Sequence, residues 1–220
     1  MLYDKLDDVY IPEEELANIA KQLVGKPIYF FPRRINDVKE YIQSRIPEIK
    51  ARLAGERTEE VLEDKSEEFL ESLSSDKLRF VIISFDIAGS TRLSTMLGAE
   101  KYRRLIEVVL FEISHIVPEF YGHVLKYTGD GLIAYFPEPS FISKNDLALE
   151  CALNMRKLVY DALNPILKEC GYPAIDIRIG IDSGEACIVV IGSPKTKRHK
   201  DIIGAVVNLA TKIQGIAENA

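Results

Sequence analysis

The run Phe80-Val-Ile-Ile-Ser-Phe-Asp86-Ile-Ala-Gly-Ser-Thr91 constrains this chain more than any other stretch. An unbroken series of β-forming apolar residues reads as a buried strand, and this one ends in a single carboxylate. Asp86 then stands where the strand emerges at the edge of a sheet. Ala88, Gly89 and Ser90 leave the backbone bare, and Ser90 or Thr91 can cap the helix that follows. Backbone N–H groups at such a helix start suit phosphate. A carboxylate beside a phosphate cradle points to a metal ion held between them. Taken alone, Asp86 reads as a helix cap, so the rest of the chain has to decide.

From Lys77 onward strands and helices alternate. Strand Leu78–Asp86 precedes helical periodicity from Thr91 to about Val117, interrupted near Gly98. Two short β runs, Gly122–Tyr127 and Gly131–Phe136, flank Thr128-Gly129-Asp130-Gly131, and an Asp-Gly turn between apolar runs predicts a hairpin. Asn145 to about Lys168 reads as a long helix. Ala174–Asp182 alternates as a strand, Ser183-Gly184 predicts a turn, and Glu185–Ile191 a returning strand. Ser193–Lys200 reads as a basic loop and Ile203–Ala217 as a final helix. Strand, helix, hairpin, helix, strand is the order of the ferredoxin-like βαββαβ arrangement, an α+β fold with an antiparallel sheet and helices on one face.

Residues 1–76 read differently, as a helical N-terminal regulatory or linker segment. Pro12–Leu23 has proline in its first turn and acids near the positive end of a helix. Pro27–Phe31 is a short extended piece. Asn36 or Asp37 can cap a second helix to about Leu53, which Pro47 is expected to kink or divide. Thr58–Leu73 is an acidic helix with Val61, Leu62, Phe69, Leu70 and Leu73 as an apolar stripe. It reads as a cap packed on the following domain, or as a dimerising or signal-carrying helix feeding the strand at Arg79. The 220 residues carry a net charge of −6, which argues against broad nucleic-acid binding. No apolar run is long enough to span a bilayer. Three widely spaced cysteines, Cys151, Cys170 and Cys187, read as reduced thiols of a cytoplasmic protein.

In a βαββ layout the first strand and the hairpin lie side by side, so Asp130 at the hairpin tip can meet Asp86. Two carboxylates and a polyphosphate make a suitable site for two Mg²⁺ ions. Asp130 alone is also a common turn residue.

Five segments, in order, resemble the class III nucleotidyl cyclase domain of adenylyl and guanylyl cyclases, over residues 78–218. They are Phe85-Asp-Ile-Ala-Gly-Ser-Thr91, Gly122-His-Val-Leu-Lys-Tyr-Thr-Gly-Asp-Gly131, Arg178-Ile-Gly-Ile-Asp-Ser-Gly184, Asp201-Ile-Ile-Gly204 and Val207-Asn-Leu-Ala-Thr-Lys212. The resemblance implies that Asp86 and Asp130 bind two metal ions, Mg²⁺ or Mn²⁺, with the Ile87 carbonyl assisting. The loop Ala88, Gly89, Ser90 and Thr91 would contact phosphates. Lys126 and Asp201 fall where the family reads the base. A lysine donor and a carboxylate acceptor match adenine at N1 and N6, whereas guanine presents the reverse pattern. Each also has a plain alternative, Lys126 as a solvated strand residue and Asp201 as a helix start. Asn208 and Lys212 share a face of the last helix, where the family orients the ribose and neutralises phosphate charge. The family's residue at 212 is arginine, and lysine lacks the planar fork that grips two oxygens. Asp182 stands where the family commonly has histidine.

The implied activity is an adenylate cyclase acting on ATP, with metal residues from one subunit of a homodimer and base-reading residues from the other. The basic loop Lys195–Lys200 either helps neutralise charge or is an exposed linker. The family continues with further strands, including a phosphate-contacting lysine, so the resemblance implies a domain at 77–220 without its C-terminal part. Two alternatives follow from the departures. One is a degenerate cyclase-like domain that binds nucleotide as a regulatory or dimerisation module. The other is a guanylate cyclase. The sequence names no upstream sensor partner.

Overall fold

The computed structural model describes residues 2–4, 9–11, 38–56, 66–73, 77–137, 144–193 and 198–217. Strands β1 (Leu2–Asp4) and β2 (Val9–Ile11) pair antiparallel as a small separate sheet. The expected helix at Pro12–Leu23 and the extended piece at Pro27–Phe31 lie outside the described residues.

The main sheet has five strands in the order β4-β5-β3-β6-β7. They are β3 (Lys77–Ala88), β4 (His123–Tyr127), β5 (Gly131–Phe136), β6 (Asp176–Ile191) and β7 (His199–Ile203). Every pairing is antiparallel. The first four of these strands have the ferredoxin-like order, as the sequence predicts.

Helix α1 (Val38–Ala54) precedes α2 (Ser66–Ser72), and α3 (Ser90–Glu119) follows β3. Between β5 and β6 run α4 (Lys144–Lys157), a π-helical stretch (Leu158–Leu163) and α5 (Asn164–Glu169). The wider winding lies just ahead of Pro165, whose missing N–H cannot take part in the ordinary ladder. Helix α6 (Ala205–Ile216) ends the described chain.

Strand period two sorts β3 into two cores. Val81, Ile83, Phe85 and Ile87 pack with α1, α3 and α4, while Phe80 and Ile82 pack with Phe69 and Leu70 of α2 and Val206, Val207 and Ala210 of α6. The sheet is therefore covered on both faces, where helices on one face were expected for the βαββαβ unit alone.

Three further expectations change. Ser183-Gly184 makes no turn: β6 runs straight through, Ser183 pairing with Val81 and Gly184 with Phe80. The length of β3 supplies the partner for both residues. The returning strand is β7, which takes His199 and Lys200 from the predicted basic loop, while 194–197 lie outside the described residues. Pro47 sits inside α1 without dividing it. Buried Ile49 and Leu53 hold the second half on the core. The interruption expected near Gly98 is present, with φ 71° and ψ 165° inside α3.

Helix α1 is fixed to α3 by an ion pair. The Arg45 guanidinium donates from Nε and one terminal nitrogen to the two Glu112 oxygens, both at 3.0 Å, and the carboxylate is fully buried.

Candidate active site

Asp86 is the last residue of β3 paired to β5, opposite Gly131, and it faces Arg178 of β6 on the other side. Alternation places it on the Phe80 and Ile82 face, the face that α6 covers. The turn Thr128–Gly131 therefore stands beside Asp86. Gly129 has φ 89°, a conformation free of strain only for glycine, and the Thr128 N–H donates to the Gly131 carbonyl at 2.8 Å. Gly131 admits no side chain: a Cβ would lie 2.2 Å from the Phe85 carbonyl oxygen and 3.2 Å from Asp86 Oδ1. This close passage brings Asp130 next to Asp86. Burial first, and then the charge of Asp130, push the Asp86 carboxyl above the usual carboxylate range; Arg178 and a hydrogen bond from Gln214 act the other way.

Ile87 follows the last β3–β5 pair, with its side chain buried. Ala88 ends the strand, and Gly89 is the N-cap of α3, with φ 68° and no side-chain hydrogen bond capping the helix. The expected cap by Ser90 or Thr91 is thus absent. Both already lie within the helix, and Ser90 stands near the Tyr102 hydroxyl. The open α3 start and the two carboxylates occupy the same end of the sheet.

Lys126 and Asp201 meet: Nζ donates to Oδ2 at 2.6 Å. They sit on the two edge strands, β4 and β7. In a flat sheet four strand spacings would separate them by roughly 19 Å. The contact therefore requires a strongly curled sheet, and α2 lies against both β4 and β7. A β-bulge adds the final adjustment. His123 pairs with Tyr135 and Lys126 with Ile133, with a register shift between Val124 and Lys126. Simple alternation would point residues 123 and 126 to opposite faces; the bulge puts both on the concave one. The Asp201 side chain is 7% exposed and that of Lys126 41%. Asp201 also accepts the Ile202 N–H at 2.8 Å, so it is a buried strand residue and no helix start.

Asn208 and Lys212 both lie on the exposed side of α6. Gln214 points about 140° away around the helix and is buried. Its Nε2 donates to Asp86 Oδ2 at 3.3 Å. Lys200, from the predicted basic loop, donates to the Leu70 carbonyl at 3.1 Å. Asp182, where the family commonly has histidine, pairs with Ile82 in the middle of β3.

Gln214, Arg178 and Tyr102 were not singled out by the sequence. Gln214 reads as one more polar residue of a final helix, and only its contact reveals it. Arg178 was visible within a matched segment, without a role; its Nε is buried and has no hydrogen-bond partner among the described residues. Tyr102 is brought back toward Ser90, beyond the Gly98 kink, where burial and the charges of Asp130 and Asp86 push its hydroxyl above the ordinary range.

This donor set fits a hard divalent cation. Asp86 and Asp130 are brought to one end of the sheet by the Gly131 pairing, and burial together with the charge of Asp130 raises the Asp86 pKa, a cost that a cation removes. Among the described residues no three His, Cys, Asp or Glu side chains form a closed cage. The remaining ligands of such a cation would be water and substrate oxygens, as Mg²⁺ prefers.

The family model for the adenylate and guanylate cyclase catalytic domain matches residues 74–220. The chain belongs to that family. It is 27% identical over 147 residues to an adenylate cyclase of Anabaena cylindrica, covering 64% of this chain and 28% of the relative. It is 26% identical over 144 residues to a cytidylate cyclase of Escherichia coli, covering 61% and 31%. The chain thus spans less than a third of the length of these curated relatives. Among solved structures, the adenylyl cyclase CyaB from P. aeruginosa superimposes with a TM-score of 0.60 at 29% identity, covering 65% of this chain and 74% of that one. Among the described residues, no helix is long and apolar enough to cross a membrane.

Proposed function

We propose that the chain is an adenylate cyclase that converts Mg-ATP into 3′,5′-cyclic AMP and pyrophosphate at sites shared between two copies of a homodimer. The observation that carries this reading is the pairing of Gly131 with Asp86, which sets Asp130 one residue away from that carboxylate beside the uncapped start of α3. Two divalent cations bound there, Mg²⁺ or Mn²⁺, would activate the ribose 3′-oxygen as Lewis acids and stabilise the leaving pyrophosphate.

The chain's own groups do the rest. Asp86 and Asp130 hold the metals, with the Ile87 carbonyl as a further ligand. The backbone of Ala88, Gly89, Ser90 and Thr91 holds the triphosphate. Lys126 donates to adenine N1, and Asp201 accepts from the N6 amino group. Guanine would set donor against donor and acceptor against acceptor at the same atoms. Asn208 orients the ribose, and Lys212 offsets the charge that builds on the phosphates. Anabaena's adenylate cyclase agrees with ATP as substrate, while the E. coli cytidylate cyclase is equally similar. The choice of base therefore rests on the Lys126–Asp201 pair.

The exposed side of α6 supports a dimer. Leu209 and Ile213 flank Asn208 and Lys212 while 47% and 39% exposed, and Ile216 is 83% exposed. Apolar surface around unused polar groups fits a partner subunit. Residues 77–220 would form the catalytic domain, and 1–76 the segment that regulates it, with α1 and α2 already seated on opposite faces of the sheet. Three unpaired cysteines and a need for ATP fit a cytoplasmic location.

Lysine at 212 favours one second reading, a nucleotide-binding module without turnover. Incubating the purified chain with ATP and Mg²⁺ or Mn²⁺ separates them. Cyclic AMP that disappears in Asp86→Ala supports the cyclase. ATP binding without product supports the module. Faster turnover of GTP or CTP contradicts the assignment of the base.

A further inference from the structure

We propose that Gln214 is a positioning residue for the metal site: its carboxamide holds one oxygen of Asp86 so that the other is presented to the cation. The inference rests on the proposed role of Asp86 as a metal ligand and adds a residue to it.

The two oxygens of Asp86 have different surroundings. Oδ2 accepts the hydrogen bond from Gln214 Nε2 at 3.3 Å. Oδ1 faces the hairpin, where a Cβ on Gly131 would come within 3.2 Å of it. Asp130 is the neighbour of Gly131, so Oδ1 is the oxygen on the hairpin side, nearer Asp130 in the chain. A free carboxylate rotates about its Cβ–Cγ bond; this one is restrained at one end. The donor is an amide, which can give a hydrogen bond to a carboxylate without bringing charge of its own.

The backbone makes the restraint stiff. Gln214 is buried in the last turn of α6. Its main chain lies against β6 at Gly180, where an added Cβ would stand 2.0 Å from the Ala210 carbonyl oxygen and 2.4 Å from the Gln214 nitrogen. Gly180 pairs with Ser84, and two residues along Arg178 pairs with Asp86 itself. Helix and strand are thus fixed in backbone contact close to the carboxylate they orient. A ligand orientated by a partner of this kind typically loses about 10–100-fold in metal affinity when the partner is removed.

The same helix carries Asn208 and Lys212 on its exposed side. Through Gln214, α6 is fastened to its own chain's metal ligand while offering two polar side chains outward. A cation bound at Asp86 therefore fixes the helix whose outer side would serve the neighbouring site.

The test is direct binding of Mn²⁺ alone, read by the loss of the free-ion electron paramagnetic resonance signal, to the full chain and to Asp86→Asn, Gln214→Leu and Gln214→Asn. Expected are loss of binding in Asp86→Asn and about 10–100-fold weaker binding in Gln214→Leu, measured well below each unfolding temperature. Gln214→Asn keeps an amide one methylene too short to reach, and it gives the same weakening should the leucine variant not fold. In turnover, the Mg²⁺ concentration for half-maximal rate rises in both variants, and excess Mg²⁺ restores most of kcat. Wild-type affinity in both Gln214 variants, with binding lost in Asp86→Asn, overturns this inference and leaves the proposed function standing. Unchanged binding in Asp86→Asn, or none in the wild type, overturns the metal site and this inference together.

Discussion

Replacing Lys126 by methionine separates a base-reading pair from a mere brace across the curled sheet. The substitution keeps most of the aliphatic stem and deletes the ammonium that lies 2.6 Å from Asp201 Oδ2. Asp201 is then left 7% exposed with the Ile202 N–H as its remaining donor among the described residues. A buried acceptor that loses a charged partner costs about 1–3 kcal/mol. The lysine is 41% exposed, so water already screens part of the pair, and the lower half of that range applies. About 1–2 kcal/mol corresponds to a fall of roughly 2–8 °C in Tm for a chain of this size. The effect on turnover is separate. Losing one charge-assisted donor to adenine N1 costs about 1.5–3 kcal/mol, or roughly 10–150-fold in kcat/KM for ATP. GTP, which gains nothing from that donor, loses less, so the ATP:GTP ratio drops. Calorimetry gives the first number and product formation from each nucleotide the second. A lowered Tm with an unchanged ATP:GTP ratio would refute base reading and leave only the brace.

Other expectations follow from the same contacts. His123, stacked on Phe69 and Tyr135, is held down to about 4 by burial. The unfolded chain therefore takes up the proton first, and stability falls as the pH drops from about 6.5 to 4, by about 3 kcal/mol in all. Urea midpoints across that window should show the slope, and His123→Phe should flatten it. Arg45→Met removes the Arg45–Glu112 ion pair and should destabilise the chain, by up to about 3–5 kcal/mol, with much of it recovered by adding Glu112→Leu; equal stability of all three chains in urea would show that α1 is not fastened through this pair. Gly180→Ala forces α6 off the sheet and should cost at least about 1–3 kcal/mol, together with the metal response of the site.

Much of this was legible in the sequence because its signals are local. The apolar run ending at Asp86, the Asp-Gly hairpin and the final helix each follow from neighbouring residues. Those elements in order imply the ferredoxin-like core. What local patterning could not convey depends on packing at a distance. Ser183-Gly184 has turn chemistry but belongs to the middle of β6, because β3 is long enough to pair with it. The face of Lys126 depends on a bulge that composition does not announce. Ser90 or Thr91 was expected to cap α3, yet Gly89 takes the cap position in the left-handed conformation and both fall inside the helix. Gln214 emerges only when α6 is laid on the sheet.

Mixing two inactive chains tests the shared site most directly. Asp86→Ala removes a metal ligand, and Asn208→Ala removes a group expected from the other subunit. Random reassociation makes half of the dimers mixed, each with one intact site, so turnover should return to roughly a quarter of the wild-type rate. A mixture that stays as inactive as its components, although the subunits demonstrably exchange, would contradict the account.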